Sequence, residues 1–538
     1  MNNLYIFAIG GSGERVMRSL IMLLAAGVKI GANNVVPIFV DNDAKSMALT
    51  RCLKLISYYN AVSENAGKNG IGTLVQKLEP EKRPSFFSTK IADPILLDIA
   101  GDQIGNLKSI IGLGLRTEDP VEKDILEERD LLFSEDDLNM KLTVGFVGNP
   151  NIGSVVLNTL SFNDTRFNDI LNAGQGDGVM VVGSLFGGTG AAGFPLIVNT
   201  FMRSDKSRPT IGGVAVLPYF EFGEKDEYDE NIIDTSKWDV KSDTFSAKTR
   251  AALMYYDDYM KNMDYLYYVG DNYRSLFPHF VGGPKQDNPA HLVELLSAIS
   301  IIDFSKRGNQ TDIEYRRPIF GIDNDNAGHS TICNIASIKT NEVKKALIKF
   351  QLLRELFINK GDGFLWHLWG NDSPITRDIA FTDKMLEACR GNNPEKVYKD
   401  VNELDNVLAA ETREFQYAWG LNAFFKEWIV WFEDLGGKDA RRKFSIFPNN
   451  GDSIDQNNVT LKFFNSNDYG IAKTKQKKEG LMRRREITVP IYPDLATNIL
   501  NAHKHLRWAG VPEEKKLAAL LKTISDGLDK VLEDNCAI

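Results

Sequence analysis

Ser184-Leu185-Phe186-Gly187-Gly188-Thr189-Gly190-Ala191-Ala192-Gly193 lies between two apolar stretches of different kinds. Gly178-Val179-Met180-Val181-Val182 before it is a short, valine-rich run without polar interruption, which predicts a buried strand. Phe194-Pro195-Leu196-Ile197-Val198-Asn199-Thr200-Phe201 after it predicts a helix. A strand, a glycine turn and a helix start together form an anion site. The first helical N–H groups have no internal partner, and the helix dipole adds partial positive charge there. Glycines let the backbone approach phosphate oxygens, and Thr189 supplies a hydroxyl donor.

The same grammar recurs on either side. Leu4–Ile9 predicts a buried parallel strand that ends in Gly10-Gly11-Ser12-Gly13, with helical spacing from about Glu14 to Ala26. Val35–Val40 predicts a second strand ending at Asp41-Asn42-Asp43, completing a right-handed crossover unit. Leu142–Val147 predicts a strand followed by Gly148-Asn149-Pro150-Asn151-Ile152-Gly153 and a helix. Strands at Ile211–Leu217 and Tyr265–Val269, and helices at Ser246–Met260 and Asn288–Phe304, continue the alternation. The fold class is α/β: an open sheet with its ligand loops at the strand C-terminal ends.

Composition sets outer bounds. The chain has 538 residues, enough for two to four domains. The net charge of −9 argues against nucleic acid as a dedicated partner. Cys52, Cys333, Cys389 and Cys536 have no metal-ligand spacing and are expected to be reduced thiols of a cytoplasmic protein. No apolar run is long enough to span a membrane, and no signal peptide is read.

The expected domains are a nucleotide domain over 1–287 with an insertion at about 50–140, a central helix over 288–304, a helix-rich second domain over 305–440, and a C-terminal region over 441–538. Glu118–Asp137 predicts a solvated acidic face, and Glu414–Phe432 an aromatic core helix. Residues 449–470 are polar and Asn-rich. Lys473–Arg485 is a basic run, read first as a solvated loop and second as a contact for nucleic acid, an anionic membrane or an acidic partner surface. Pro512–Asp534 predicts an amphipathic C-terminal helix, a second candidate partner surface. The six histidines form no ligand constellation, and His503-x-His505 predicts a helix surface.

Taken alone, the first loop admits a different function. Gly11-x-Gly13-x-x-Val16 nearly fits the dinucleotide fingerprint, and Asp41 ends the second strand as a ribose-binding acid would. A dinucleotide fold needs one diphosphate cradle, whereas here Gly187–Gly190 and Gly148–Gly153 add to the first. Several such loops suit a nucleoside triphosphate, so a dehydrogenase ranks third among the functional readings.

The ordered set of loops resembles the tubulin/FtsZ superfamily, FtsZ more than eukaryotic tubulin. Ile9–Val16 resembles its first glycine loop, and Phe39–Ala44 the FtsZ strand ending in Asn-Thr-Asp-Ala. Leu142–Gly153 resembles the loop facing the γ-phosphate, and Gly187-Gly188-Thr189-Gly190 the tubulin signature loop. Leu217-Pro218-Tyr219-Phe220-Glu221-Phe222-Gly223 resembles the FtsZ ribose loop. The match covers about residues 1–304.

The resemblance implies a Rossmann-type domain that binds GTP or GDP with Mg²⁺, a central helix, and a divergent helix-rich C-terminal domain. It implies that Gly187, Gly188, Thr189, Gly190 and Ala191 hold the α- and β-phosphates, with Gly10, Gly11, Ser12 and Gly13 opposite. Gly148 and Asn149 would face the γ-phosphate, Asp41 and Asp43 would orient Mg²⁺ through water, and Glu221 would accept a ribose hydroxyl. Asn288, with Asn272 as competitor, would pair with the base, although Asn288-Pro289 also suits a helix cap.

Three features depart from the family. Glu14 replaces a neutral amide, which calls for Mg²⁺, Arg15 or Arg18 to offset its charge. The stretch before the third loop is longer than in FtsZ. The hydrolytic acid loop has no clean copy; Asp312 and Glu314 of Asn309–Glu314 are the candidates, Asp323-Asn324-Asp325 is a second one, and a solvated turn is the competing account of both. The expected function is a GTP-binding protein that self-assembles head to tail into filaments and acts as a GTPase on assembly. The alternative is a non-polymerising GTP-bound scaffold or regulator in a larger complex.

Overall fold

A computed structural model describes residues 1–43, 45–63, 86–98, 106–112, 118–140, 142, 145–146, 148–158, 170–202, 207–222, 242–259, 263–271, 275–277, 283, 286–307, 322–324, 329–335, 340–358, 366–370, 372–379, 413–436, 443–445, 472–479, 483–490, 492–506, 508–510 and 516–535. The chain divides into two compact units. The first comprises Met1–Leu20, Ile30–Leu53 and Ala92–Gly321, the second Ile21–Lys29, Lys54–Ile91 and Ile322–Ile538.

Six strands of the first unit form one parallel sheet. In chain order they are β1 (Asn3–Ile9), β2 (Asn34–Asp41), β3 (Ile95–Asp98), β4 (Gly178–Ser184), β5 (Thr210–Val216) and β7 (Tyr265–Val269). A separate two-stranded parallel sheet joins β6 (Phe220–Phe222) to β8 (Ser275–Phe277). Within this unit the strands β2, β1, β4, β5 and β7 of the large sheet lie side by side in that order, and β3 pairs with β2. Its register runs Ile38↔Ile95, Phe7↔Ile38, Phe7↔Val181, Val181↔Gly213 and Val214↔Tyr267. β1, β2, β4 and β5 are nearly free of exposed residues, as expected for a parallel sheet covered on both faces.

The chain winds outward from β1 to β2 on one side and reaches β4 on the other, so strand order reverses between β1 and β4. Open α/β sheets place ligands outside the carboxyl ends of the strands at such a reversal. Both glycine turns sit there. Helix α1 (Gly10–Ala25) follows β1 directly, and α4 (Gly188–Phe201) follows β4. Three further helices belong to the α/β alternation: α3 (Pro150–Leu157), α5 (Phe245–Tyr259) and the long α6 (Leu292–Arg307), while α2 (Met47–Ser63) follows β2. The core of the unit gathers Phe7, Ile38, Val181, Phe194 and Phe201 among others.

Two expectations change. The strand expected at Leu142–Val147 is not one where the residues are described: Leu142 lies in a turn and Gly145 takes φ +86°. The sheet instead contains β3, in the stretch expected as an insertion. Its four residues, next to Pro94, are too short a run for periodicity to reveal. The acidic face forms a helix over Pro120–Leu132 with an Asp119 cap and no buried residue.

The second unit is helical around aromatic residues, with α7 (Thr340–Ile358), α8 (Arg413–Gly436), α9 (Tyr492–His505) and α10 (Lys516–Asn535). Phe350 packs on Trp428 with ring centroids 4.4 Å apart, and Trp428 on Trp431 at 5.2 Å, so the aromatic stretch is core. Trp428 Nε1 donates to the buried Gln351 Oε1 at 2.7 Å. The basic run is not a loop. It forms an antiparallel hairpin, Ala472–Glu479 with Arg483–Pro490, in register Lys477↔Arg485. His503 is not a surface residue either: its ring stacks on Trp508 at 4.6 Å and its Nε2 lies 2.8 Å from Asp378 Oδ2, while His505 is exposed. Residues 449–470 lie outside the described residues. No helix among the described residues is long and apolar enough to cross a membrane.

Candidate functional site

A cavity of about 150 Å³, open to solvent, lies at the β1/β4 reversal, wholly within the first unit. Its polar side comes from the turns. Gly10, Gly11 and Ser12 open α1, and Ser184, Gly187, Gly188, Thr189 and Gly190 lead into α4. Asp41, Asp43 and Ser46 follow β2, Gly145 and Gly148 precede α3, and Gln286 and Asn288 precede α6. Its aromatic side is Phe146, Phe186, Phe220, Phe222 and Phe245.

The turns have this shape because of their residue types. Gly10 takes φ +66° and Gly148 φ +71°, a region that a side chain disfavours. At Gly190 a Cβ would fall 2.7 Å from both N and O of Ser184, so only glycine lets α4 start this close to the end of β4. Gly187 caps α4 from an extended conformation and has no side chain to accept from the first-turn N–H groups. Those donors face a cavity that Gly187 through Gly190 line. Thr189 sits beside Gly10, its Cβ 3.3 Å from where a Gly10 Cβ would lie, so the two helix starts share one space.

Arg15 adds the cation that lines the cavity, but its charge is already engaged. Its Nε donates to Glu294 Oε1 at 2.6 Å and its Nη2 to the Tyr219 hydroxyl oxygen at 2.9 Å. Tyr219 in turn donates to Glu294 Oε1 at 2.7 Å, and the surrounding charges hold Arg15 firmly protonated despite burial.

Glu14 does not line the cavity. It is 0% exposed, and its Oε2 accepts from the Ser46 hydroxyl at 2.9 Å. Burial, then the neighbouring Asp41 carboxylate, push its pKa well above the ordinary range. The expected repulsion between Glu14 and a polyphosphate is reduced by its placement away from the cavity and by burial, which raises its pKa against the opposing effect of Arg15. Asp41 is pushed up to about 7, mainly by burial. Asp43 is raised for the same reason, while its Oδ2 accepts from the Gly283 N–H at 2.6 Å.

Asn288 is the polar group with unmet demand. It is 5% exposed, lines the cavity, and neither Nδ2 nor Oδ1 has a partner. Buried amides are rarely left so, because each unpaired group costs about 1–3 kcal/mol. The side chain is not acting as a helix cap, which removes the competing account of this residue.

A serine–histidine pair at the margin has no nucleophilic geometry. Ser275 Oγ lies 3.1 Å from His291 Nε2, but His291 Nδ1 accepts from the Val293 N–H. Nε2 therefore carries the ring proton in the neutral form and cannot take one from Ser275.

Of the residues expected at the site, the structure brings Gly10, Gly11, Ser12, Asp41, Asp43, Gly148, Gly187, Gly188, Thr189, Gly190 and Asn288 to one cavity. Gly13, Asn149, Ala191 and Glu221 do not line it. Gly13 is a packing residue, since a Cβ there would fall 2.7 Å from Ala8 C and 2.9 Å from Val182 O. Asn149 is the extended N-cap of α3. Glu221 alternates with Phe220 and Phe222 along β6, and the two phenylalanines are the ones that line the cavity. Asn272, Asp312 and Glu314 lie outside the described residues. Ser46, Gln286 and the phenylalanines were not singled out from sequence. Apolar residues at such positions read as core, and nothing in their spacing marks a ligand.

Among the described residues, no group of three or more His, Cys, Asp or Glu side chains could hold a metal ion by itself. No protein-family model, curated protein or solved structure matches the chain.

Proposed function

We propose that the first unit binds a guanine nucleotide, GTP or GDP, and that the chain is a tubulin/FtsZ-like protein that stacks head to tail. One observation carries the nucleotide reading: two glycine-rich helix starts, that of α4 without a side-chain cap, and an unpartnered buried amide line a single cavity. Helix starts suit phosphates, and a free amide suits the hydrogen-bonding edge of a base.

The residues fit such a ligand. The α4 N–H groups and the Thr189 hydroxyl would donate to phosphate oxygens, with the Gly10–Ser12 turn on the other side. Gly148 would border the terminal phosphate. Asn288 would pair with the base and so satisfy both of its polar atoms. Mg²⁺ is commonly held by one or two carboxylates together with substrate phosphates and water, and Asp41 and Asp43 supply that pair of acceptors. When bound, the ion would neutralise phosphate charge. The protein's own contribution is to position the phosphates and to exclude bulk water from the base.

Assembly and hydrolysis rest on the sequence resemblance, with Asp312 and Glu314 as the acids one copy would offer the next. GTP-dependent pelleting or light scattering with Mg²⁺ tests assembly. Growth of sedimenting polymer with GTP supports the filament. Nucleotide binding by a protein that stays at one protomer at high concentration overturns it in favour of a GTP-bound scaffold.

A further inference from the structure

The Pro120–Leu132 helix carries large apolar side chains that the fold leaves in water. Val121, Ile125 and Leu132 are 68%, 42% and 74% exposed. With Glu128 they recur at i, i+4, i+7 and i+11, so they form one stripe along the helix, about 16 Å long at 1.5 Å per residue. The half-buried residues Glu122, Leu126 and Arg129 share another side, and Phe133 just beyond the last turn packs against the core of the first unit. The helix leans on the unit with that side, and the stripe stays outside. Its own cap holds the helix in shape, since the Asp119 side chain accepts from the N–H groups of Val121 and Glu122. An exposed apolar stripe on a preformed helix is a surface that a partner would cover.

Charge narrows what that partner is. The helix holds five acids against Lys123 and Arg129. Both cations are already paired, Lys123 with Glu127 at 3.5 Å and Arg129 with Asp130 at 2.6 Å. No ion pair engages Asp124 or Glu128 among the described residues. Glu128 lies within the stripe, and Asp124 stands one turn from both Val121 and Glu128. A second copy of this helix would set acid against acid, and an anionic membrane would repel it. A basic helix with an apolar side answers both halves of the surface: 3.6-residue spacing matches the stripe, and cations meet the two carboxylates.

We propose that the Val121–Leu132 face docks a basic amphipathic helix of a partner protein, whose apolar side covers Ile125 and Leu132 and whose lysines or arginines meet Asp124 and Glu128. The surface is separate from the nucleotide cavity, so it stands or falls independently of the nucleotide reading.

Fluorescence anisotropy of a labelled Leu/Lys heptad peptide with the full-length protein tests it. The controls are a Leu/Glu heptad peptide and a Leu/Lys peptide of the same composition in scrambled order. The unsubstituted protein is expected to bind the Leu/Lys heptad at least about tenfold more tightly than either control. Ile125→Ser combined with Leu132→Ser is expected to weaken that peptide by about tenfold or more, because two side chains lose the surface they would bury. Both positions are exposed, so the melting temperature should not fall, which shows that the variant is folded. Asp124→Lys combined with Glu128→Lys is expected to reverse the preference toward the Leu/Glu heptad. Equal binding of heptad and scrambled peptides, undiminished binding by the serine variant, or unchanged charge preference in the lysine variant overturns the proposal. A dimer of the unsubstituted protein that the serine variant abolishes also overturns it, by assigning the stripe to a second copy.

Discussion

Arg15 Nε donates to Glu294 Oε1 across 2.6 Å, with both side chains buried, so a desolvated ion pair ties the first glycine turn to the start of α6. Breaking one side of such a pair costs about 3–5 kcal/mol, because the other charge is left buried alone. Glu294→Gln and Arg15→Met are each expected to lower the denaturant midpoint by a comparable large step. The double variant should lose much less than the sum. Additive losses would show that the two side chains do not act as a pair.

The glycines of the turns separate into two classes. Gly190→Ala places a methyl 2.7 Å from backbone atoms that cannot yield, and the expected cost is ~1–3 kcal/mol of stability together with loss of nucleotide binding. At Gly11 a Cβ would meet nothing closer than Arg15 Nη1 at 3.5 Å, an ordinary contact. Gly11→Ala is therefore expected to melt like the unsubstituted protein and still bind nucleotide more weakly, since the methyl enters the cavity. Thermal melts and GDP titrations on both variants check the distinction.

Removing the Asn288 amide has opposite consequences for stability and for binding. Both of its polar atoms are buried without partners, so Asn288→Leu is expected to leave the ligand-free protein as stable or more stable. The same change should weaken GDP by at least about tenfold, equivalent to ~1.4 kcal/mol. A stability loss without an affinity loss would assign Asn288 to packing alone.

Buried carboxyls give the ligand-free protein a pH signature. Glu14 has a folded pKa well above its ordinary 4.5, and Asp41 is raised from 3.8 to about 7. When folding raises an acid's pKa, its stabilising contribution is complete below the unfolded value. That contribution is then lost as pH rises through the folded value. The ligand-free protein is expected to lose stability between about pH 4 and pH 7 through Asp41, with Glu14 adding a loss that begins above its ordinary value. Glu14→Gln should flatten the profile, raising the melting temperature at pH 8 more than at pH 5. An equal effect at both pH values would contradict the assignment.

The fold was legible wherever apolar runs were long. β1, β2, β4, β5 and β7 follow from uninterrupted runs. β3 was hidden because four residues carry no periodicity, and the hairpin of the basic run because its lysines and the consecutive Arg483–Arg485 look like solvated charge. At the site, glycine turns were legible because backbone demands write themselves directly into residue type. Glu221 does not line the cavity, whereas alternation along β6 brings its phenylalanine neighbours there, which nothing in their residue type signals. Glu14 misled in the other direction: its charge was counted at the phosphates, but the side chain is buried against Ser46.

The central claim is that the cavity between α1 and α4 holds a guanosine polyphosphate. Titration calorimetry of folded, nucleotide-stripped protein with GDP and Mg²⁺ tests it most directly, alongside chromatography of whatever nucleotide is released on denaturing the purified protein. Saturable one-to-one uptake that Gly190→Ala abolishes, with guanine nucleotide in the extract, is the predicted result. No heat of binding from GDP or GTP by protein that melts cooperatively, with no nucleotide released, would contradict it.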